Sequence, residues 1–362
     1  MNDFRAEPAA MRAEMLEAAR AVFDSGWYVL GKQVTAFEAA WAQACGAAHA
    51  VGVGNGMDAI EIALRALGIG PGDEVVTTPM TAFASVLAIL RAGAVPVLAD
   101  IDAATGLLDP ASVERCLSAT TRAVMPVHLY GRIGDMDAWT ALCAARGVHL
   151  IEDCAQSHLA RWRGRCAGTF GAAGAYSFYP TKNLGAIGDA GALITQSPEL
   201  AAIAARLRNY GQSERYHHPE VGMNSRLDEL QAALLLVKLK WLEEFTAKRR
   251  EIAGQLFAGI ANPAVRPLDA PVEAENHVHH LFVVLCEERD RFHAHLRAAG
   301  IQALIHYPVP MHHQKPCAEL RRDPQGLTRA ERHAGECLSL PCHAQMDAGQ
   351  VARVVAAVNS FR

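Results

Sequence analysis

The chain has 362 residues, 51% of them hydrophobic, with a net charge of -4 and a sequence pI near 6.5. That length and apolar content support a large core, one big domain and a smaller one. Charges of both signs are spread along the chain, which excludes the basic stripe of a nucleic-acid or acidic-membrane binder and leaves small molecules as the expected partners.

Residues 1–20 are charged, Ala-rich and helical in periodicity, without a signal peptide's apolar core or a span able to cross a bilayer, so the expected location is the cytoplasm. Apolar runs at 74–78, 95–100, 123–129, 148–153, 175–178 and 192–195 alternate with helical patterns, which predicts a mostly parallel sheet flanked by helices. One predicted helix carries Ile60, Ala63, Leu64 and Leu67 at helical spacing. A second carries Leu230, Ala233, Leu234, Val237, Trp241 and Phe245 in one continuous stripe, and both are expected to pack on the sheet. The Pro-rich stretch 262–271 reads as a loop, followed by a strand at 281–286 and a helix near 290–299. We therefore expect a large unit over 1–250 and a smaller one over 251–362, with the N-terminal segment against the smaller one. The nine cysteines form no C-x-x-C pair and suit reduced, buried thiols.

Five segments carry chemistry. Val51-Gly-Val-Gly-Asn-Gly56-Met57-Asp58 is a glycine-rich turn entering a helix near Met57, which reads either as an anion site or as a tight structural turn. It fails as a dinucleotide fingerprint, because Met57 stands where the third glycine belongs. In the second segment an apolar strand ends at Glu152 and Asp153, followed by Gln156 and His158. A carboxylate there can hold the proton on a pyridine nitrogen or cap the next helix. The third, Gly174-Ala-Tyr-Ser177-Phe-Tyr179-Pro-Thr-Lys182-Asn-Leu-Gly185, delivers a hydroxyl and then a lysine between a strand end and a Gly turn. A desolvated amine in that place forms an imine with an aldehyde, although most lysines are solvated surface groups. In the fourth, Asn224, Ser225 and Asp228 lead into the long helix, and Ser225 and Asp228 read equally as helix-start residues. The fifth is the polar, Pro-stiffened cluster His306-Tyr307-Pro-Val-Pro-Met-His312-His313-Gln314. Neither it nor His277, His279 and His280 shows an ordered metal-ligand spacing, so no metal is expected.

In this order the motifs resemble the DegT/DnrJ/EryC1/StrS sugar aminotransferases, a branch of the aspartate-aminotransferase-like type I fold for pyridoxal 5'-phosphate (PLP) enzymes. The resemblance runs from Ser25-Gly-Trp-Tyr-Val-Leu-Gly31 to Leu338-Ser-Leu-Pro341. It implies a PLP cofactor, passing through pyridoxamine 5'-phosphate, with Lys182 as the imine-forming lysine, Asp153 on the pyridine nitrogen and Gln156 on the ring hydroxyl. It further implies Ser177 with Gly56 and Met57 around the phosphate, Phe83 stacked on the ring, and Asn224 reaching the neighbouring subunit's phosphate in a homodimer with shared active sites. The C-terminal part is similar to the subgroup that aminates C3 of dTDP-linked 3-keto-6-deoxyhexoses with L-glutamate. In that reading Tyr179, His306, Tyr307 and His312 are the candidate sugar contacts, each open to a packing role instead. His279, Leu285, Met311 and Cys317 depart from the subgroup's pattern and bear on the choice of sugar. The rival readings are C4 amination of a dTDP-, UDP- or GDP-4-keto sugar, and a non-catalytic PLP-binding regulator.

Overall fold

The computed structural model describes residues 4–362. A seven-stranded sheet runs in the order His49–Val53, Gly191–Thr195, Ala173–Ser177, His149–Asp153, Thr121–Val124, Glu74–Thr77, Val95–Leu98. Gly191–Thr195 is antiparallel to both neighbours, and every other pairing is parallel. Each predicted strand is present.

Both faces of this sheet are covered, because successive side chains along a strand point to opposite sides. Val76, Val124, Leu150, Tyr176 and Ile194 pack with Phe37, Trp41, Val113 and Trp139 of one helical layer. Their neighbours Val75, Ala123, Ile151, Ala175 and Leu193 pack with Ile60, Leu64, Ile89 and Ala204 of the other. A second, three-stranded antiparallel sheet (Arg266–Pro267, Phe282–Leu285, Cys337–Leu340) has its own core of Phe282, Val284, Leu338 and Leu340 with Ile252, Leu256, Phe292 and Val354. The other face of its central strand, Val283 and Leu285, meets Met80, Leu98, Tyr130 and Met311.

Four expectations change. Val51–Val53 is not part of a turn but the end of an edge strand, and the turn shrinks to Gly54-Asn55 before helix Gly56–Ala66. The long stripe breaks at Lys240 and Trp241 into helices Glu229–Leu239 and Leu242–Gly259. The first of these packs chiefly on helices Ala9–Ser25 and Lys32–Cys45 rather than on the sheet. Its Glu229 carboxylate accepts from the backbone N–H groups of Gly31, Gln33 and Val34 at 2.8–2.9 Å, capping the start of helix Lys32–Cys45 from across the fold. Ser225 is no helix-start residue either, since its hydroxyl accepts from Gly54 N–H at 3.0 Å. All nine cysteines are buried and free. Among the described residues no helix is long and apolar enough to cross a membrane.

Glu152 is fully buried with both carboxylate oxygens occupied: Oε1 takes the N–H of Phe170 and Gly171, and Oε2 takes Gly168 N–H and His128 Nε2 at 3.0 Å. Removing a group that satisfies this many buried donors leaves them without partners. Glu152→Ala is expected to lower unfolding stability by about 3 kcal/mol in urea titration, and a loss below about 1 kcal/mol would contradict this account.

Candidate active site

The carboxyl ends of the parallel strands and the helices that follow them converge on one edge of the large sheet, where open α/β folds place their ligands. Asp153 ends its strand on the same face as Ile151, the face covered by helices Gly56–Ala66 and Phe83–Arg91. The second helix supplies Ser85, whose hydroxyl donates to Asp153 Oδ2 at 2.7 Å; Thr81 Oγ1 lies 2.7 Å behind Ser85. Ala155 N–H donates to Oδ1 at 3.0 Å. Asp153 is thus buried and held from both oxygens with no ion pair among the described residues, which leaves its charge for a proton-bearing ligand atom.

Ser177 ends the neighbouring strand against the start of helix Gly56–Ala66. A methyl group on Gly56 would lie 2.6 Å from Ser177 Cβ, so only glycine admits this contact. Asn55 caps the helix by accepting from Asp58 N–H at 2.8 Å, and the Gly56 and Met57 N–H groups have no acceptor within the described chain. Two free amides, the positive end of a helix dipole and the Ser177 hydroxyl therefore share one spot, a donor set that suits a phosphate. Phe83 sits half-buried at the start of its helix.

Lys182 lies on a loop that leaves the sheet after Ser177 and closes on itself. Phe178 N–H bonds Ala190 C=O, Ala186 N–H bonds Phe178 C=O, and Lys182 N–H bonds Tyr179 C=O, each at 2.8 Å. A side chain at Gly185 would strike Pro180 C=O at 2.3 Å, which explains the glycine after the lysine. Burial disfavours the Lys182 ammonium and lowers its pKa from 10.5 to about 8, while the Asp153 carboxylate pulls the other way. Asn183, beside it, tethers the loop by donating to Val278 C=O at 3.0 Å and contacting His280 Nδ1 at 3.1 Å.

Histidines crowd this lysine, and all are kept neutral. His158 donates from Nε2 to Ser177 C=O at 2.9 Å, and burial followed by the Lys182 charge pulls its pKa down to about 3. The same two causes bring His306 to about 4 and drive His280 well below the ordinary value. Gln156 accepts from Tyr130 N–H at 2.6 Å and donates to the Tyr307 hydroxyl at 3.2 Å. Burial, with Asp153 nearby, pushes Tyr307 up to about 12. Tyr130 in turn donates to His306 C=O at 2.6 Å, joining the 306–314 loop to the sheet edge.

The structure therefore brings Lys182, Asp153, Gln156, Ser177, Gly56, Met57, Phe83, His306 and Tyr307 to one edge. Tyr179 is 51% exposed beside them. Asn224 is exposed, paired through its backbone with Asn209. His312 is buried, with Nε2 3.0 Å from Glu331 Oε1. Ser85, Thr81, Tyr130 and Asn183 are the residues that motif reading missed; a hydroxyl one helical turn into Phe83–Arg91 is unremarkable until the fold sets it against Asp153. The four departures, His279, Leu285, Met311 and Cys317, are all buried, three of them within the core that joins the two sheets.

The donor set fits a phosphorylated pyridine aldehyde: a phosphate cradle, an uncompensated carboxylate for a ring N–H, an amide for a ring hydroxyl, and an amine of lowered pKa. A large parallel sheet bearing these groups at its strand ends defines a type I PLP-dependent aminotransferase. The family model for DegT/DnrJ/EryC1/StrS aminotransferases matches residues 9–359, and the chain belongs to that family. It is 45% identical to the dTDP-3-amino-3,4,6-trideoxy-alpha-D-glucose transaminase of Streptomyces venezuelae, over 99% of this chain and 95% of that one. It is 43% identical to the dTDP-3-amino-3,6-dideoxy-alpha-D-galactopyranose transaminase of Aneurinibacillus thermoaerophilus, over 99% and 98%. The crystal structure of S. venezuelae DesV in complex with a ketimine intermediate superposes with a TM-score of 0.94 at 44% identity, covering 99% of this chain and 96% of that one.

Two measurements check this geometry. Because the amine form of Lys182 becomes populated near pH 8 rather than 10.5, capture of PLP by the stripped chain should accelerate with pH and level off above about 8; a rate still climbing at pH 10 would contradict it. Ser85→Ala should retain cofactor and lower kcat about tenfold or more at unchanged KM for the amino donor, the worth of one hydrogen bond to a charged group. Ser85→Thr should restore kcat, and an unchanged kcat in Ser85→Ala would remove Ser85 from the support of Asp153.

Proposed function

We propose that this enzyme moves the amino group of L-glutamate to C3 of a dTDP-linked 3-keto-6-deoxyhexose, giving a dTDP-3-amino-3,6-dideoxyhexose and 2-oxoglutarate. One observation carries the reading: two relatives aligned over nearly their whole lengths, at 45% and 43% identity, are both dTDP-3-amino-sugar transaminases.

When bound, PLP supplies an aldehyde to take the amino group and a cationic ring to spread the charge left on a deprotonated carbon. Residues of this chain do the rest. Lys182 Nζ, an amine of lowered pKa, would be the group that holds the cofactor's aldehyde and the base that moves a proton at the substrate carbon. Asp153, steadied by Ser85 and Ala155 N–H, keeps the proton on the ring nitrogen. Gln156 would meet the ring hydroxyl, and Phe83 would supply an apolar surface for the ring. Ser177 Oγ with the Gly56 and Met57 amides holds the phosphate. His158, neutral and tied to Ser177 C=O, fixes the strand end beneath the lysine without adding a competing charge.

Tyr179, His306 and Tyr307 line the sugar side, and His312 keeps their loop in place. The exposed Asn224 reaches the phosphate site of a second copy, so that each catalytic centre is completed by a homodimer. Residues 1–250 form the cofactor-binding unit and 251–362 the smaller unit that closes over it.

The test is a mass-resolved product assay with L-glutamate, PLP and dTDP-4-keto-6-deoxyglucose, with and without a 3,4-ketoisomerase. An amino sugar formed only with the isomerase is the expected result; one formed without it means amination at C4 and overturns the assignment.

A further inference from the structure

We propose that His312, His313 and Glu331 form a site for a transition-metal ion of the zinc class, which staples the 306–314 loop to helix Thr328–Glu336. The turn Met311–His313 presents two consecutive imidazoles to one carboxylate: His312 Nε2 lies 3.0 Å and His313 Nε2 3.7 Å from Glu331 Oε1. One donor atom from each of the three residues falls within 4.8 Å of the others. A tetrahedral zinc ion with bonds of about 2.0–2.1 Å needs its donors about 3.3 Å apart, and the two measured separations bracket that spacing. Two imidazoles and a carboxylate are ligands zinc prefers, and a three-residue set leaves a fourth position for water.

The surroundings suit a site that is partly built in advance. The His312 side chain is 1% exposed, while those of His313 and Glu331 are 54% and 44% exposed and leave a way in. The turn is held by Met311 N–H on Pro79 C=O at 2.9 Å and by Gln314 N–H on Met311 C=O at 2.9 Å. A plain hydrogen bond accounts for His312 against Glu331, whereas His313 stands 3.7 Å from the same oxygen, beyond hydrogen-bond reach and near enough to share an ion. Sequence spacing hides the set, because its third member comes from a separate helix. An ion here would fix the loop that begins at His306 and Tyr307, the latter in contact with Gln156. The inference is independent of which sugar the enzyme uses.

The experiment uses holoenzyme freed of metal with EDTA and titrated with zinc chloride in a calorimeter, with cobalt chloride as the spectroscopic probe. The expected result is one ion per chain, with affinity falling at least about tenfold in His313→Ala and in Glu331→Gln. His313 is exposed, so its replacement leaves the fold intact. Equal affinity in the His313→Ala variant, or no uptake at one ion per chain by the unaltered protein, overturns the site; buried thiols as the ligands would give the first of these outcomes. Hydrogen exchange across 306–314 should slow on adding zinc to the unaltered protein and not to His313→Ala. Exchange unaffected by a bound ion would refute the staple.

Discussion

Two carboxylates at adjacent positions on one strand are put to opposite uses, and the site depends on that division. Glu152 and Asp153 point to opposite faces because a strand alternates. Glu152 enters the face of Leu150 and Tyr176, where four donors saturate it. Asp153 enters the face of Ile151, where Ser85 and one backbone amide hold it and its remaining capacity faces the site. A buried carboxylate with all its lone pairs spoken for locks structure, whereas one partly satisfied is a reagent. A slip of one residue in the register of His149–Asp153 would exchange the two roles.

The same parity orders the rest of the edge. Ala175 shares the face of Ile151, and Ser177, two residues on, meets Gly56 there. Tyr176, between them, enters the opposite core with Trp41. Lys182 then needs a return path, and the closed loop from Phe178 to Ala190 supplies one. With His158, His280 and His306 all neutral, the lysine faces a site with few competing cations, and burial alone is enough to bring it toward the pH at which an amine is reactive.

The elements that were legible in the sequence are those fixed by local chemistry. Apolar runs of strand length gave the central sheet, and a lysine followed by Asn-Leu-Gly marked a tight loop. Longer-range relations were not legible. His49–Val53 is short and glycine-containing, and only its pairing with Gly191–Thr195 makes it a strand. The stripe from Leu230 to Phe245 keeps its period through Trp241, yet the chain turns there, and hydrophobic period does not report a change of axis. Ser225 reads as helix-start chemistry and Glu229 carries no signal of its own, because their partners Gly54 and Gly31 are distant in sequence. Ser85 carries no signal of its own until helix Phe83–Arg91 is packed on the strand that ends at Asp153.

The C-terminal departures gain a different meaning from their surroundings. Leu285, Met311 and Cys317 lie with Met80, Leu98, Tyr130 and Cys337 in the core between the two sheets, so exchanges there alter packing volume rather than sugar contact. His279 stacks on His277 with ring centroids 3.9 Å apart and its pKa brought down to about 3 by burial first, again a structural placement. What this core transmits is position. Tyr130 belongs to it, and its backbone N–H holds Gln156 while its hydroxyl holds His306 C=O and meets His333 Nε2 at 2.9 Å. Repacking around Tyr130 therefore shifts the loop that carries His306 and Tyr307 relative to the strand end that carries Asp153. Substitutions that never touch a sugar can in this way tune how it is presented.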